Sequence, residues 1–163
     1  MKRIILHWTA GRYFPTDFEK QFYHYLVDSN GEIHAGKYPP EANLDVKSGK
    51  YAAHTGGGNT GSIGLALCAM AGFCSPSQSG QFPITKIQLE AAFAFCARLC
   101  KKYSLPVSPF SLMTHYEFGL KNPKSSSAGK IDLTFLPPYP AVEASDVGNF
   151  IRQKVRWYLS KTQ

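Results

Sequence analysis

Five histidines are spread through the 163 residues, and two of them share one setting. His7 closes the apolar run Ile4-Ile5-Leu6, and His115 closes Leu112-Met113-Thr114; each is followed by an aromatic residue, Trp8 and Tyr116. If the two runs are neighbouring strands, both imidazoles stand on one rim of a sheet. A carboxylate beside them completes a His/His/Asp set, enough to hold zinc through three ligands and to keep a fourth position for water. Asp132 is the candidate carboxylate. Lys130 lies two residues earlier, and in an extended segment residues two apart project from one face, which would bring a cation into the same site. No compact metal motif such as H-E-x-x-H is present, and strand-end or loop histidines without a metal are the other reading of this spacing.

The elements that must position these groups are legible in outline. Residues 3–7 read as a buried strand, and 17–22 as a short helix. Residues 23–28 and 32–35 read as two strands around the turn Ser29-Asn30-Gly31. Residues 37–50 look irregular, with Pro39-Pro40 as breakers. A glycine-rich loop, residues 56–61, leads into the apolar run 62–70, suited to a central strand. The strongest helix spans 86–103, opened by a capping box of Thr85 and Gln88. Leu89, Ala92, Phe93, Cys96, Leu99, Cys100 and Tyr103 form its stripe, and Ile87 and Phe95 add a second buried face. Residues 121–130 form a polar, Ser-rich loop. A last amphipathic helix lies within 143–161, with Val147, Phe150, Ile151, Val155 and Tyr158 on its stripe and Arg152, Lys154, Arg156 and Lys161 off it. This mixture predicts a single α/β domain over residues 1–163, a central mixed sheet flanked by helices.

Composition narrows the function classes. No apolar run reaches the roughly 18 to 20 residues of a membrane-spanning helix. Met1-Lys2-Arg3 with Ile4-Ile5-Leu6 is too short for an export signal, so synthesis in the cytoplasm without a signal peptide is expected. Cys68, Cys74, Cys96 and Cys100 lack zinc-ribbon spacing and read as reduced core residues. The 18 Lys+Arg against 11 Asp+Glu leave a net charge of +7, which favours encounter with anionic polymers or lipid surfaces. No recognition motif or dense basic run supports nucleic acid as the partner. The glycine-rich loop lacks the G-x-x-x-x-G-K-[ST] pattern, which argues against a nucleotide. Its glycines would instead let backbone N–H groups approach a peptide stem or sugar, with His54, Thr55 and Asn59 at its borders. His24 and His34 are read as structural, His34 without an evident partner.

The run Ile4-Ile5-Leu6-His7-Trp8-Thr9-Ala10-Gly11, then Tyr23-His24-Tyr25-Leu26-Val27-Asp28 ahead of Gly31, resembles the start of the type 2 zinc-dependent N-acetylmuramoyl-L-alanine amidases, which share a fold with the peptidoglycan recognition proteins. The resemblance continues through Ala53-His54-Thr55, Asn59, Ser62-Ile63-Gly64-Leu65, Pro83-Ile84-Thr85, Thr114-His115 and Lys130-Ile131-Asp132, covering residues 1–135 in the family's order. It implies zinc at the floor of a surface groove. His7, His115 and Asp132 match the three metal ligands, and Lys130 matches the lysine that supports the transition state. Tyr23 matches a catalytic tyrosine of the short phage lysozyme-amidases. Substrate contacts fall to His54, Thr55, Asn59 and Trp8.

The chain also departs from the family's pattern. Leu65-Ala66-Leu67-Cys68 lacks the acidic residue of the cytoplasmic recycling members, Asp132-Leu133-Thr134 replaces the usual Asp-Pro-Gly, and the interval from His115 to Lys130 is long. The expectation is a monomeric endolysin of phage or prophage origin. It would cut the bond between N-acetylmuramic acid and L-alanine in peptidoglycan after release from the cytoplasm into the host periplasm. A peptidoglycan-binding module without activity and a muropeptide-recycling amidase are the alternatives. The C-terminal helix is expected to dock its stripe on the core, with weak contact of its basic face to anionic membrane or lipopolysaccharide as the other reading.

Overall fold

The computed structural model describes residues 1–161. Strands β1 (Arg3–Trp8), β2 (Tyr25–Val27), β3 (Ile33–Ala35), β4 (Ser62–Leu67) and β5 (Leu112–Thr114) form one sheet in the order β3-β2-β4-β1-β5. Only the β2–β3 pair is antiparallel; β4 pairs in parallel with β1 and β2, and β5 with β1, so the sheet is mixed as expected. Alternation along the strands assigns the faces. Ile4, Leu6 and Trp8 of β1 and Ile63, Leu65 and Leu67 of β4 enter the main core, packed under helices α1 (Lys86–Lys102) and α3 (Val147–Lys161). Ile5 faces the other way, onto Met113 and Phe118, and Phe118 belongs to α2 (His115–Lys121). His7 lies two residues beyond Ile5, on that second face.

Helix α1 begins with the expected reciprocal cap: Gln88 N–H donates to Thr85 Oγ1 at 3.1 Å and Thr85 N–H to Gln88 Oε1 at 3.3 Å. Gln88 is also fully buried, and its Nε2 donates to the carbonyls of Val27 and Cys68 at 2.7 and 3.0 Å, tying the helix start to the ends of β2 and β4. The apolar stripe is buried, but Ile87 is 65% exposed, and of the expected second face only Phe95 packs, half-buried against Tyr25.

Other expectations need correction. The helix expected at 17–22 is a single 3₁₀ turn, Glu19–Gln21, and the irregular 37–50 segment contains two more, Pro40–Leu44 and Val46–Ser48. Helix α2 went unread because only seven residues separate its cap from Asn122, too few for periodicity to register. Cys68, Cys96 and Cys100 are buried and free, whereas Cys74 is free but exposed, on a turn outside the core. Arg152 lies buried against Glu117, where a polar face had been expected. Among the described residues no helix is long and apolar enough to cross a membrane.

Candidate active site

Strand register brings the two histidines together. β1 and β5 run in parallel with Leu6 opposite Thr114, so the next residue on each chain segment, His7 and His115, emerges at the same level. His115 is not a strand end, however. Thr114 caps α2, accepting from Glu117 N–H at 3.1 Å while Glu117 Oε2 accepts from Thr114 N–H at 2.9 Å, and His115 is the helix's first residue. His7 Nδ1 lies 3.1 Å from His115 Nδ1. Asp132 Oδ2 lies 2.9 Å from the first and 3.0 Å from the second.

Asp132 reaches that point on a turn that does not need the family's Pro-Gly. Leu133 adopts a left-handed φ of 63°. That conformation costs a side-chain-bearing residue about 1 kcal/mol. Its fully buried side chain offsets the cost by anchoring the turn in the main core. Thr134 N–H and Oγ1 both donate to Ile131 O, at 3.1 and 2.7 Å, closing the turn.

The three ligand atoms form a triangle with sides near 3 Å. Tetrahedral bonds of about 2.1 Å would set such atoms roughly 3.4 Å apart, so a small outward shift of the nitrogen and oxygen donors fits a zinc-sized cation. The paired imidazoles hold Asp132 far below the usual carboxylate range despite its burial, leaving it anionic. Burial lowers the pKa of His7 against the opposing pull of Asp132, so the uncharged imidazole that a metal requires is favoured.

His115 and Asp132 line a groove of about 540 Å³ together with Trp8, Tyr23, His54, Asn59 and Lys130, and the third corner, His7, is buried. Lys130 is exposed on the groove rim, and its charge is felt at His7. Tyr23 sits in the loop two residues before β2, not in the strand as expected, with its ring 5.3 Å from that of His7. Burial, then the charge of Asp132, raises its pKa and keeps the phenol protonated. Trp8 is mostly core, packed on Phe73, with one edge in the groove.

His54 and Thr55 are buried and turn their polar atoms inward. His54 Nδ1 meets His7 Nε2 at 3.1 Å and Thr55 Oγ1 at 2.8 Å. The glycine-rich loop keeps its backbone for itself: Thr55 N–H donates to Asn59 Oδ1 at 2.8 Å and Gly58 N–H to Thr55 O at 2.9 Å. Its glycines admit neighbouring protein rather than ligand, since a Cβ on Gly58 would meet the Phe118 ring at 2.5 Å.

A model of the N-acetylmuramoyl-L-alanine amidases matches residues 1–130. The chain belongs to that amidase family. The match stops two residues before Asp132, so the third corner of the triangle rests on the structure. No curated protein matches the amidase. Its fold is similar to that of PlyL, with a TM-score of 0.54 at 18% identity over 94% of this chain and 82% of that one. It is also similar to the Ph2119 endolysin from Thermus scotoductus MAT2119 bacteriophage Ph2119, with a TM-score of 0.50 at 15% identity over 94% and 84% of the two chains. At such identities the likeness is one of fold.

The remaining histidines of the amidase are structural. His24 is buried, accepts from Gly64 N–H through Nδ1 at 2.8 Å and donates through Nε2 to Asn43 Oδ1 at 2.9 Å. His34 does have a partner, Asp28, at 2.8 Å. Asp28, Glu32 and His34 lie close enough to share an ion, but Asp28 Oδ1 already accepts from the N–H groups of Asn30 and Glu32 and organises the β2–β3 turn. Two residues of the site escaped the sequence reading. Ser127 bonds His115 from the Ser-rich loop, and Arg152 bonds Glu117 from α3; neither carries a local motif.

Proposed function

We propose that this amidase is zinc-dependent and hydrolyses the amide between N-acetylmuramic acid and L-alanine in intact peptidoglycan, as an endolysin of phage or prophage origin acting after release from the cytoplasm. The convergence of His7 Nδ1, His115 Nδ1 and Asp132 on one point at the groove floor carries this reading. Bound zinc supplies a Lewis acid and lowers the pKa of water toward neutrality. His7, His115 and Asp132 would hold it.

The other groove residues act on the substrate. The muramyl peptide lies along the groove, contacted by Asn59 and the edge of Trp8, with His54 and Thr55 shaping the floor beneath it. Lys130 directs its ammonium at the scissile carbonyl oxygen, whose negative charge develops only as the carbon becomes tetrahedral. A donor so placed stabilises that state by about 3 kcal/mol. Tyr23, kept protonated, donates a hydrogen bond to the attacking water or to the same oxygen and holds the reacting groups in line. The family match supports amide hydrolysis, and a strand β4 free of carboxylates argues against the recycling branch. Exposed Arg156, Trp157 and Lys161 on α3 supply weak contact with anionic envelope surfaces.

Purified sacculi incubated with the zinc-loaded enzyme should release new L-alanine amino termini, and a zinc chelator or His115→Ala should abolish the release. Retained sacculus binding by folded, zinc-loaded protein without any release would overturn the proposal in favour of a binding module. Release from soluble muropeptides alone would move it to the recycling class.

A further inference from the structure

The two imidazoles face the metal point through Nδ1, and what holds them that way lies behind them. Ser127 is fully buried. Its single hydroxyl proton is committed to Gly56 O at 2.8 Å, so the oxygen is an acceptor toward His115 Nε2 at 2.9 Å. Ser127 therefore draws the proton of His115 to Nε2, in competition with Asp132 Oδ2, which lies 3.0 Å from Nδ1 and draws it the other way. His7 is held by a similar chain. His54 Nε2 faces the carbonyl of Ser62 at 3.4 Å, which can only accept, so His54 Nδ1 is an acceptor, facing His7 Nε2 at 3.1 Å and the Thr55 hydroxyl at 2.8 Å. Both chains of hydrogen bonds end on backbone carbonyls, where no proton can be returned.

We propose that Ser127 is a positioning residue of the metal centre: its hydroxyl draws His115 toward the Nε2–H tautomer that leaves Nδ1 free for the cation. The Ser-rich segment 122–129 delivers it. That segment packs on the glycine-rich loop, where Cβ atoms added to Gly56 and Gly57 would strike Ser126 and Ser125. The loop's glycines and the long interval from His115 to Lys130 thereby share one purpose, seating Ser127 between Gly56 O and the ring. Partners behind a metal-binding imidazole typically change metal affinity by about 10- to 100-fold when removed.

This inference rests on the zinc reading, but its test separates the two. In metal-free protein with ¹⁵N-labelled histidine at mildly alkaline pH, two-bond nitrogen–proton correlations report which ring nitrogen of His115 is protonated. The share of Nε2–H should be larger in the parent than in Ser127→Ala, where the proton shifts to Nδ1, facing Asp132. Zinc affinity, read by competition with a chromophoric chelator, should fall about 10- to 100-fold in Ser127→Ala. It should hold in Ser77→Ala, which removes an exposed hydroxyl that meets only Ser75 Oγ, outside the site. Should the alanine variant not fold, Ser127→Cys keeps the volume and substitutes a weak acceptor, with the same two expectations. An unchanged tautomer or an unchanged zinc affinity in the folded variant overturns the role of Ser127. A parent that binds no zinc overturns the metal reading instead, and the tautomer pattern still decides for or against Ser127.

Discussion

Arg152 on the C-terminal helix grips both carboxylate oxygens of Glu117, with Nη1 3.0 Å from Oε2 and Nη2 2.8 Å from Oε1. The same Glu117 caps α2 through Thr114 N–H, one residue before His115. Helix α3 therefore buttresses the His7–His115–Asp132 triangle from beyond the segment matched by the family. Arg152 also donates to Leu112 O at 2.9 Å, fastening β5. Breaking a buried pair from one side leaves a charge without compensation. Arg152→Ala should cost about 3 kcal/mol in urea unfolding and should weaken zinc binding. Gly148→Ala should act in the same direction, because its Cβ would meet the Glu117 carboxylate at 2.1 Å.

Lys130 stands apart from the packing. It is exposed, and no salt bridge engages its ammonium among the described residues. Lys130→Ala should keep the unfolding midpoint and zinc content of the parent while kcat on sacculi falls about 100-fold, the usual loss of one oxyanion donor. Turnover within a few-fold of the parent would remove Lys130 from the chemistry.

His24 makes stability depend on pH. Burial lowers its pKa to about 4, and its Nδ1 must stay bare to accept from Gly64 N–H. Above the unfolded value of about 6.5 the residue is neutral in both states and contributes no slope. As pH falls from there toward 4, the unfolded chain takes up a proton that the folded chain refuses, and stability drops by on the order of 3 kcal/mol. Urea unfolding across this window should show that loss, and His24→Gln should flatten part of the slope while lowering stability at neutral pH.

Gly64 is where a strand makes room for the site. Its side-chain position faces the groove side of β4, and a Cβ there would meet the His54 ring at 2.5 Å. Gly64→Ala should displace His54 from His7 and weaken zinc affinity about tenfold, with little change in secondary structure by circular dichroism. Full retention of affinity would mean that His54 does not orient His7.

Much of the architecture was legible from local pattern. The α1 cap, the β2–β3 turn and the apolar runs of β1 and β4 each depend on residues close in sequence, so periodicity and capping chemistry suffice to find them. Pairing His7 with His115 required only that two short strands be neighbours, and their residue types already suggested the chemistry. Long-range packing decided the rest. Arg152 is a basic helical residue until Glu117 meets it across 35 positions, and His34 has no partner until the turn folds Asp28 back. Ser127 looks like one more polar loop residue until tertiary folding seats it between Gly56 O and His115. Side-chain types and spacing named the groups able to bind a metal. Only the three-dimensional arrangement could commit their protons, because a hydrogen bond selects a partner by distance and direction, and neither is written in the order of residues.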